Sequence, residues 1–335
     1  MHIGHSTKEY YIGDAEVGDY RANRGQGRAS IPMSVVCEEQ NNSVHPFSPL
    51  TAIAAVLALA PYMAAGFFPA RAAGCAQRLP VWAQILSPSL LCVPYLLVAL
   101  SRGTFSWAWL GLYAILPAVI AAVLIRAGGT RSGWPEFLIL GILGLAVDLR
   151  WFEPAWPAHL AVFNKVLLLD AGIYGFVAVR NLDGVGFDLR LRVRDLIIGL
   201  REVVFYLPLA LALGLGLGFL HLHPFGLIGP VMLQFEGAWI FTFFLIAVPE
   251  ELFFRGWLQN LLERHMGRWP ALVTTALLFG LSHFNKRALH FNWRYVLLAA
   301  IAGIFYGRAW RRNRRVGASA VTHATVDSVW SLWLR

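Results

Sequence analysis

Charge is scarce in this sequence. Only 14% of its 335 residues are Asp, Glu, Lys or Arg, while 57% are hydrophobic. A soluble globular chain carries about 25% charge and roughly 45–50% apolar residues, so a soluble enzyme is excluded. Cysteine is nearly absent: Cys37, Cys75 and Cys92 form no CxxC pair and no even-numbered framework, which excludes a disulfide scaffold and a zinc finger. No internal repeat of roughly 20–50 residues is visible, so sequence symmetry gives no support to a solenoid or an inverted-repeat transporter. The 31 glycines have no three-residue period, and the apolar content is too high for a disordered chain. The N-terminus lacks a basic segment running directly into an apolar one, so it is no ordinary signal peptide. The net charge of +9 lies in loops between apolar runs, as in a membrane protein with basic cytoplasmic loops. That placement argues against nucleic acid as a partner.

What is present is a series of apolar runs. Residues 1–47 are polar and read as a disordered tail, with Met33 as an alternative start. The runs then follow as Leu50–Phe68, Val81–Leu100, Gly103–Ile125, Trp134–Val147, Ala158–Val179, Val203–Leu220, Gly237–Pro249, Pro270–Ser282, Tyr295–Gly307 and Val316–Leu334. This pattern predicts an all-α polytopic membrane bundle of about ten transmembrane helices. Pro88 and Pro94 are expected to bend the second run. The fourth is short, carries Glu136, and is expected to be tilted or interfacial. Arg180, Arg190, Arg192, Arg194 and Arg201 fall in one loop, and Arg308, Arg311, Arg312, Arg314 and Arg315 in another. Four runs separate the two loops, so both are placed on one side, the cytoplasmic one. Lys286, Arg287 and Arg294 then fall outside, against the trend.

Polar side chains at membrane depth cost free energy and need a reason. They are dense in the last hundred residues. Glu250 and Glu251 follow an apolar run, and Arg255 stands four residues after Glu251, so those two share a helix face and can pair. Glu250 points about 100° away and is left free. Phe279 and His283 are four apart, as are His323 and Asp327. Glu250 and His283 each lie about 16 residues from the polar break at Met266–Gly267, which puts them at one height on adjacent antiparallel helices. His323 is expected at about the same level. A Glu and a His facing each other can hold a water between them. Elsewhere, Lys165 and Asp170 read as structural or interfacial, and His221 with His223 is a weak metal signal.

The three pieces in this order resemble the CAAX-protease and bacteriocin-processing family (CPBP, also ABI) of intramembrane glutamic endopeptidases. That family shows Glu-Glu-x-x-x-Arg, then Phe-x-x-x-His, then His-x-x-x-Asn or Asp. Here the motifs are Glu250-Glu251-Leu-Phe-Phe-Arg255, Phe279-Gly-Leu-Ser-His283 and His323-Ala-Thr-Val-Asp327. The likeness covers about residues 160–335, giving three parts: the tail (1–47), accessory N-terminal spans (48–157) and a CPBP-like catalytic domain (158–335). The resemblance implies that Glu250 is the general base for a water, that His283 holds and polarises it, and that His323 and Asp327 sit where the oxyanion forms. Arg255 would hold Glu251 and shape the site with Phe279. It further implies a membrane-associated protein or peptide substrate, the lipid bilayer as surroundings, no cofactor, and a multi-pass protein of the bacterial inner membrane.

One departure bears on the chemistry. An Asn at position 327 would donate a hydrogen bond, whereas an ionised Asp cannot. Asp327 is therefore expected to accept from His323 and orient it, or to be protonated. Two other readings stay open. Two Glu and two His could ligate Zn²⁺, although no HExxH is present. A non-enzymatic immunity or transport protein could also use the same fold.

Overall fold

A computed structural model describes residues 48–128, 133–223, 228–286 and 290–334. The tail read over 1–47, with Met33 and Cys37, lies outside the described residues, as does Arg287. Among the described residues the chain is all-helical, with no strand. Six helices are long and apolar enough to cross a membrane: Pro49–Phe67, Val81–Arg102, Trp107–Arg126, Ala158–Val179, Val193–Gly216 and Val231–Met266. The expectation of about ten spans is thus met by six on length and composition. Helix Arg268–Leu281 is apolar but short. The two C-terminal helices run to full length, but one ends in arginines and both carry polar groups.

Local sequence explains most boundaries. Helix α1 (Pro49–Phe67) is capped by Ser48, whose hydroxyl accepts from the Thr51 amide at 3.2 Å, a standard N-cap. A short α2 (Pro69–Gln77) follows. The second span is broken where the prolines predicted: α3 (Val81–Leu86) passes through a 3₁₀ turn, Ser87–Cys92, into α4 (Val93–Arg102). Pro88 and Pro94 lack the N–H that an unbroken α ladder needs. Then come α5 (Trp107–Arg126) and α6 (Trp134–Asp148), the latter only about 22 Å long and too short to span alone. Its Glu136 is buried and anchored by Arg180 at 3.1 Å. Helix α7 (Val162–Ile173) passes into a π-helical turn, Tyr174–Val179.

The loop from Arg180 to Arg192 turns back into the protein. Gly186 has φ +71°, and a Cβ there would fall 1.9 Å from the Arg314 carbonyl oxygen. Only glycine fits this passage. Its carbonyl accepts from the Val316 amide at 2.9 Å. The same loop carries Asp188, which accepts from Arg190 at 2.9 Å and from Arg315 at 3.0 Å. Arg315 also donates to the fully buried Asp195 at 3.0 and 3.1 Å. The two arginine-rich segments, placed on one side by charge alone, are therefore bonded together.

Helix α8 (Val193–Gly216) opens the C-terminal half. A long helical rod follows, in five pieces: α9 (Ile228–Thr242), a π segment (Phe243–Ala247), α10 (Val248–Glu251), a second π segment (Leu252–Gln259) and α11 (Asn260–Met266). The sequence reading ended the seventh run at Glu250. The helix continues through it to Met266, as the count to the turn near Met266–Gly267 expects, and Glu251 finds its partners inside the protein. Gly267, at φ +80°, makes the turn expected near Met266–Gly267. Helices α12 (Arg268–Leu281), α13 (Trp293–Asn313) and α14 (Val316–Trp333) complete the chain. α13 packs against both α8 and α12, and α14 lies against α8, α9 and α13.

Candidate active site

The site is built on the rod, on the end of α12, and on α13 and α14. Glu251 is fully buried and has three partners. Arg255 Nε lies 3.1 Å from its Oε2, both side chains being inaccessible to solvent. The Ser319 hydroxyl donates to the same carboxylate. His323 Nδ1 stands 2.9 Å from Oε1. One carboxylate thus ties α10 to the following π segment and to two successive turns of α14. The Arg255 guanidinium also sits over the Phe279 ring at 5.0 Å, with Phe254 and Tyr306 at 5.8 and 5.9 Å. Cation–π contact in a dry setting compensates a buried guanidinium. Phe279 therefore serves as a platform under the arginine.

Glu250 behaves differently. Its side chain keeps 30% of its exposure, and among the described residues no hydrogen bond to it is present. It lines a cavity of about 460 Å³. His323 Nε2 approaches Glu250 Oε2 at 3.9 Å and Asp327 Oδ2 at 3.4 Å. His323 and Asp327 line a second, smaller cavity of about 60 Å³ together with His283. The 3.9 Å step from Glu250 to His323 Nε2 joins a residue that lines the larger cavity to one that lines the smaller.

His283 directly follows α12. Its Nδ1 is 2.9 Å from the Phe279 carbonyl oxygen. A carbonyl only accepts, so Nδ1 donates and Nε2 is left as an acceptor. Glu250 and His283 are near enough to feel each other's charge. The structure thus places Glu250 on the larger cavity and Phe279, His283, His323 and Asp327 on the smaller, with Glu251 and Arg255 buried beside them.

The anchoring of His323 departs from the sequence expectation. The sequence expects Asp327 to accept from His323 and orient the ring, or to be protonated. The 2.9 Å contact is made by Glu251 at Nδ1, while Asp327 meets the other nitrogen at 3.4 Å, beyond good hydrogen-bond length. The reason is helical geometry. Asp327 is one turn away on the same helix and reaches Nε2, whereas Glu251 comes from a facing helix and meets Nδ1 at the shorter distance.

Several participants escaped the sequence reading. Tyr306 stacks on His323 at 4.7 Å and 15°, and Tyr295 packs edge-on against His283 at 4.8 Å. Ser319 could have been found, because Ser319, His323 and Asp327 recur every four residues on one helix face. The tyrosines carry no such signal. Lys165, read as structural or interfacial, is exposed into the larger cavity beside Asp148 and Lys286. Asp170 is buried near Tyr62 of α1, away from the site. His221 and His223 are exposed, and the His223 amide donates to the Trp333 carbonyl at 3.0 Å.

The zinc alternative fits the donor set poorly. Both Glu251 oxygens and His323 Nδ1 are already used among themselves and by Arg255 and Ser319. His283 Nδ1 is used by a backbone carbonyl. Among the described residues no three His, Cys, Asp or Glu groups are arranged to hold a metal ion.

Comparison with known proteins agrees with the three motifs. Residues 233–329 match the family described as type II CAAX prenyl endopeptidase, Rce1-like. That segment begins within α9, ends near the close of α14, and contains all three motifs. No curated protein and no solved structure matches the chain.

Proposed function

Starting from a chain whose residues 233–329 match the type II CAAX prenyl endopeptidase family and which has six helices long and apolar enough to cross a membrane, we propose that it is an intramembrane endopeptidase using a glutamate-activated water. The observation that carries this reading is the meeting at His323 Nε2 of an unbonded Glu250 at 3.9 Å and Asp327 at 3.4 Å, beside a cavity.

Each residue then has a task. A water held between Glu250 and His283 Nε2 donates one hydrogen bond to each. As its oxygen attacks the peptide carbonyl carbon, Glu250 takes a proton. The carbonyl π electrons move to oxygen, and this oxyanion accepts from His323 Nε2–H. Glu251 fixes the ring by accepting from Nδ1, and Asp327 steadies Nε2 between turnovers. Collapse of the tetrahedral intermediate breaks the C–N bond, and Glu250 returns its proton to the departing amine. The second water proton stays on the intermediate's hydroxyl, so the products are a new carboxylic acid and a new amine, which exchange that proton in water to become carboxylate and ammonium. The substrate is a membrane-associated protein or peptide. The family description makes a prenylated CAAX terminus the first one to try.

The test is a comparison of protein termini in membranes holding the wild type with those holding Glu250→Ala. New carboxyl termini that depend on Glu250 support the reading. Identical termini, with both proteins inserted and folded, overturn it.

A further inference from the structure

The larger cavity is walled by apolar side chains, but its charged groups are arranged unusually. Asp148, Arg150, Lys165, Asn285 and Lys286 stand around it with Glu250. Arg150 has an acidic neighbour of its own, Glu153 at 3.9 Å. Among the described residues neither Lys165 nor Lys286 forms an ion pair within 4.0 Å. Both lie within electrostatic reach of Glu250. Lys286 is half-buried, and among the described residues its ammonium has no hydrogen-bonded acceptor, although Asp148 as well as Glu250 lies within electrostatic reach. An unbonded ammonium in such a place favours an arriving anion.

Position narrows the choice. Asp148 ends α6, whose start is bonded to Arg180, and Lys286 follows α12, whose start lies by the arginine-rich turns. Asn285 donates to the Asp148 carbonyl at 3.3 Å. The rim therefore faces away from the arginine-rich side. Leu143, Leu168, Phe241, Leu245 and Phe253 supply apolar wall beyond it. Asp148 and Lys165 come from outside the family-matched segment 233–329, and Asn285 and Lys286 from within it.

We propose that Lys165 and Lys286 form a specificity subsite for a carboxylate on the peptide substrate, with the apolar part of the peptide lying along the cavity past Glu250. This rests on the peptidase reading given above. The carboxylate has two sources, a free C-terminus or an acidic side chain, and the lysines serve either. Such a substrate reaches the cleft from the face opposite the arginine-rich loops.

The test uses binding rather than cleavage, so that it stands apart from catalysis. Full-length Glu250→Gln protein in detergent is titrated with a dansylated decapeptide of Leu, Ala and Ser in three forms: free acid, C-terminal amide, and amide with Glu at the last position. The expected result is that the acid binds roughly 10- to 100-fold tighter than the plain amide, the scale of one or two charge-assisted bonds. Adding Lys165→Gln and Lys286→Gln should bring that ratio to about one, while adding Arg294→Gln, outside the cavity, should preserve it. Tight binding of the Glu-bearing amide identifies a side-chain carboxylate, and binding of the acid alone identifies the terminus; either supports the subsite. Equal binding of all three peptides, or a carboxylate preference unmoved by the double lysine change, overturns it. So does lysine-dependent displacement of the peptide by phosphatidylglycerol micelles, which would make lipid the occupant. Cleavage that survives in Glu250→Gln would defeat the peptidase mechanism while leaving the binding result intact.

Discussion

His323 presents Nδ1 to Glu251 Oε1 at 2.9 Å, and this single contact decides where its other nitrogen can act. With Nδ1 engaged and Tyr306 stacked on the ring face, the imidazole cannot turn, and Nε2 is held between Asp327 and Glu250. The two consecutive glutamates therefore do opposite things. Glu251 is locked into the protein, and Glu250 is left available.

This division gives the first prediction. Glu250→Gln is expected to abolish peptide hydrolysis while leaving the unfolding midpoint in detergent within about 1 °C of wild type. Glu251→Ala and Arg255→Ala each strand a buried charge and should cost roughly 3–5 kcal/mol. Thermal unfolding followed by tryptophan fluorescence, beside a cleavage assay, separates the two classes. Equal destabilisation by all three changes would refute the division.

The third motif can be dissected in the same assay. His323→Ala should lower kcat by roughly 10²–10³, the scale of one oxyanion donor. Asp327→Asn should retain substantial activity, because an amide oxygen accepts from Nε2 as a carboxylate does. An Asn variant as inactive as Glu250→Gln would instead mark Asp327 as a second base.

Ser319→Ala offers a gentler probe. It removes one donor from Glu251 and should destabilise by about 1.5–3 kcal/mol, as expected for a bond to a charged group. If Glu251 orients His323, kcat should fall with it while KM holds. A variant less stable but with wild-type kcat would show that Glu251 needs only its remaining partners to hold the ring.

Metal dependence is tested by chelation. A water activated by Glu250 should survive 1,10-phenanthroline, and elemental analysis of purified active protein should give well under one zinc per chain. Stoichiometric zinc lost in step with activity would favour the metallopeptidase alternative.

Outside the membrane, Asp188 predicts a pH effect on stability. Burial pushes its carboxyl up, but bonds from Arg190 and Arg315 outweigh this and hold it at about 2. A depressed folded-state value adds stability that is complete above the unfolded value near 4 and is lost as pH falls through about 2. Asp188→Asn should therefore lower stability by about 2 kcal/mol at pH 7, with little difference from wild type near pH 2. Chemical unfolding at the two pH values reads this directly.

Much of this was legible in the chain. The helical class, the turn at Gly267, the break at Pro88 and the Glu251–Arg255 pair all follow from local spacing, because each depends on residues within one or two turns of each other. The number of spans did not follow. Glu250 and Glu251 looked like the end of a hydrophobic run, since hydropathy cannot see that a carboxylate's partners arrive from another helix. The same blindness hid the anchor of His323, which lies 72 residues away in Glu251. It also hid the position of Lys165, whose place on a cavity wall depends on how α7 faces the rod.

The rod has one further consequence. Val248–Glu251 is a single α turn between two π segments. Each π segment spreads its residues over a wider turn than the α ladder, so the rod carries a phase offset on either side of the glutamates. The hairpin at Gly267 fixes one end of the rod. Deleting one residue within Leu252–Gln259 would let the helix relax to α register and rotate the whole glutamate turn about its axis. Such a protein would keep its hydrophobic length and its place in the bilayer. Its two glutamates would no longer point where they do, so the offset works as an angular setting, independent of which side chains occupy the site.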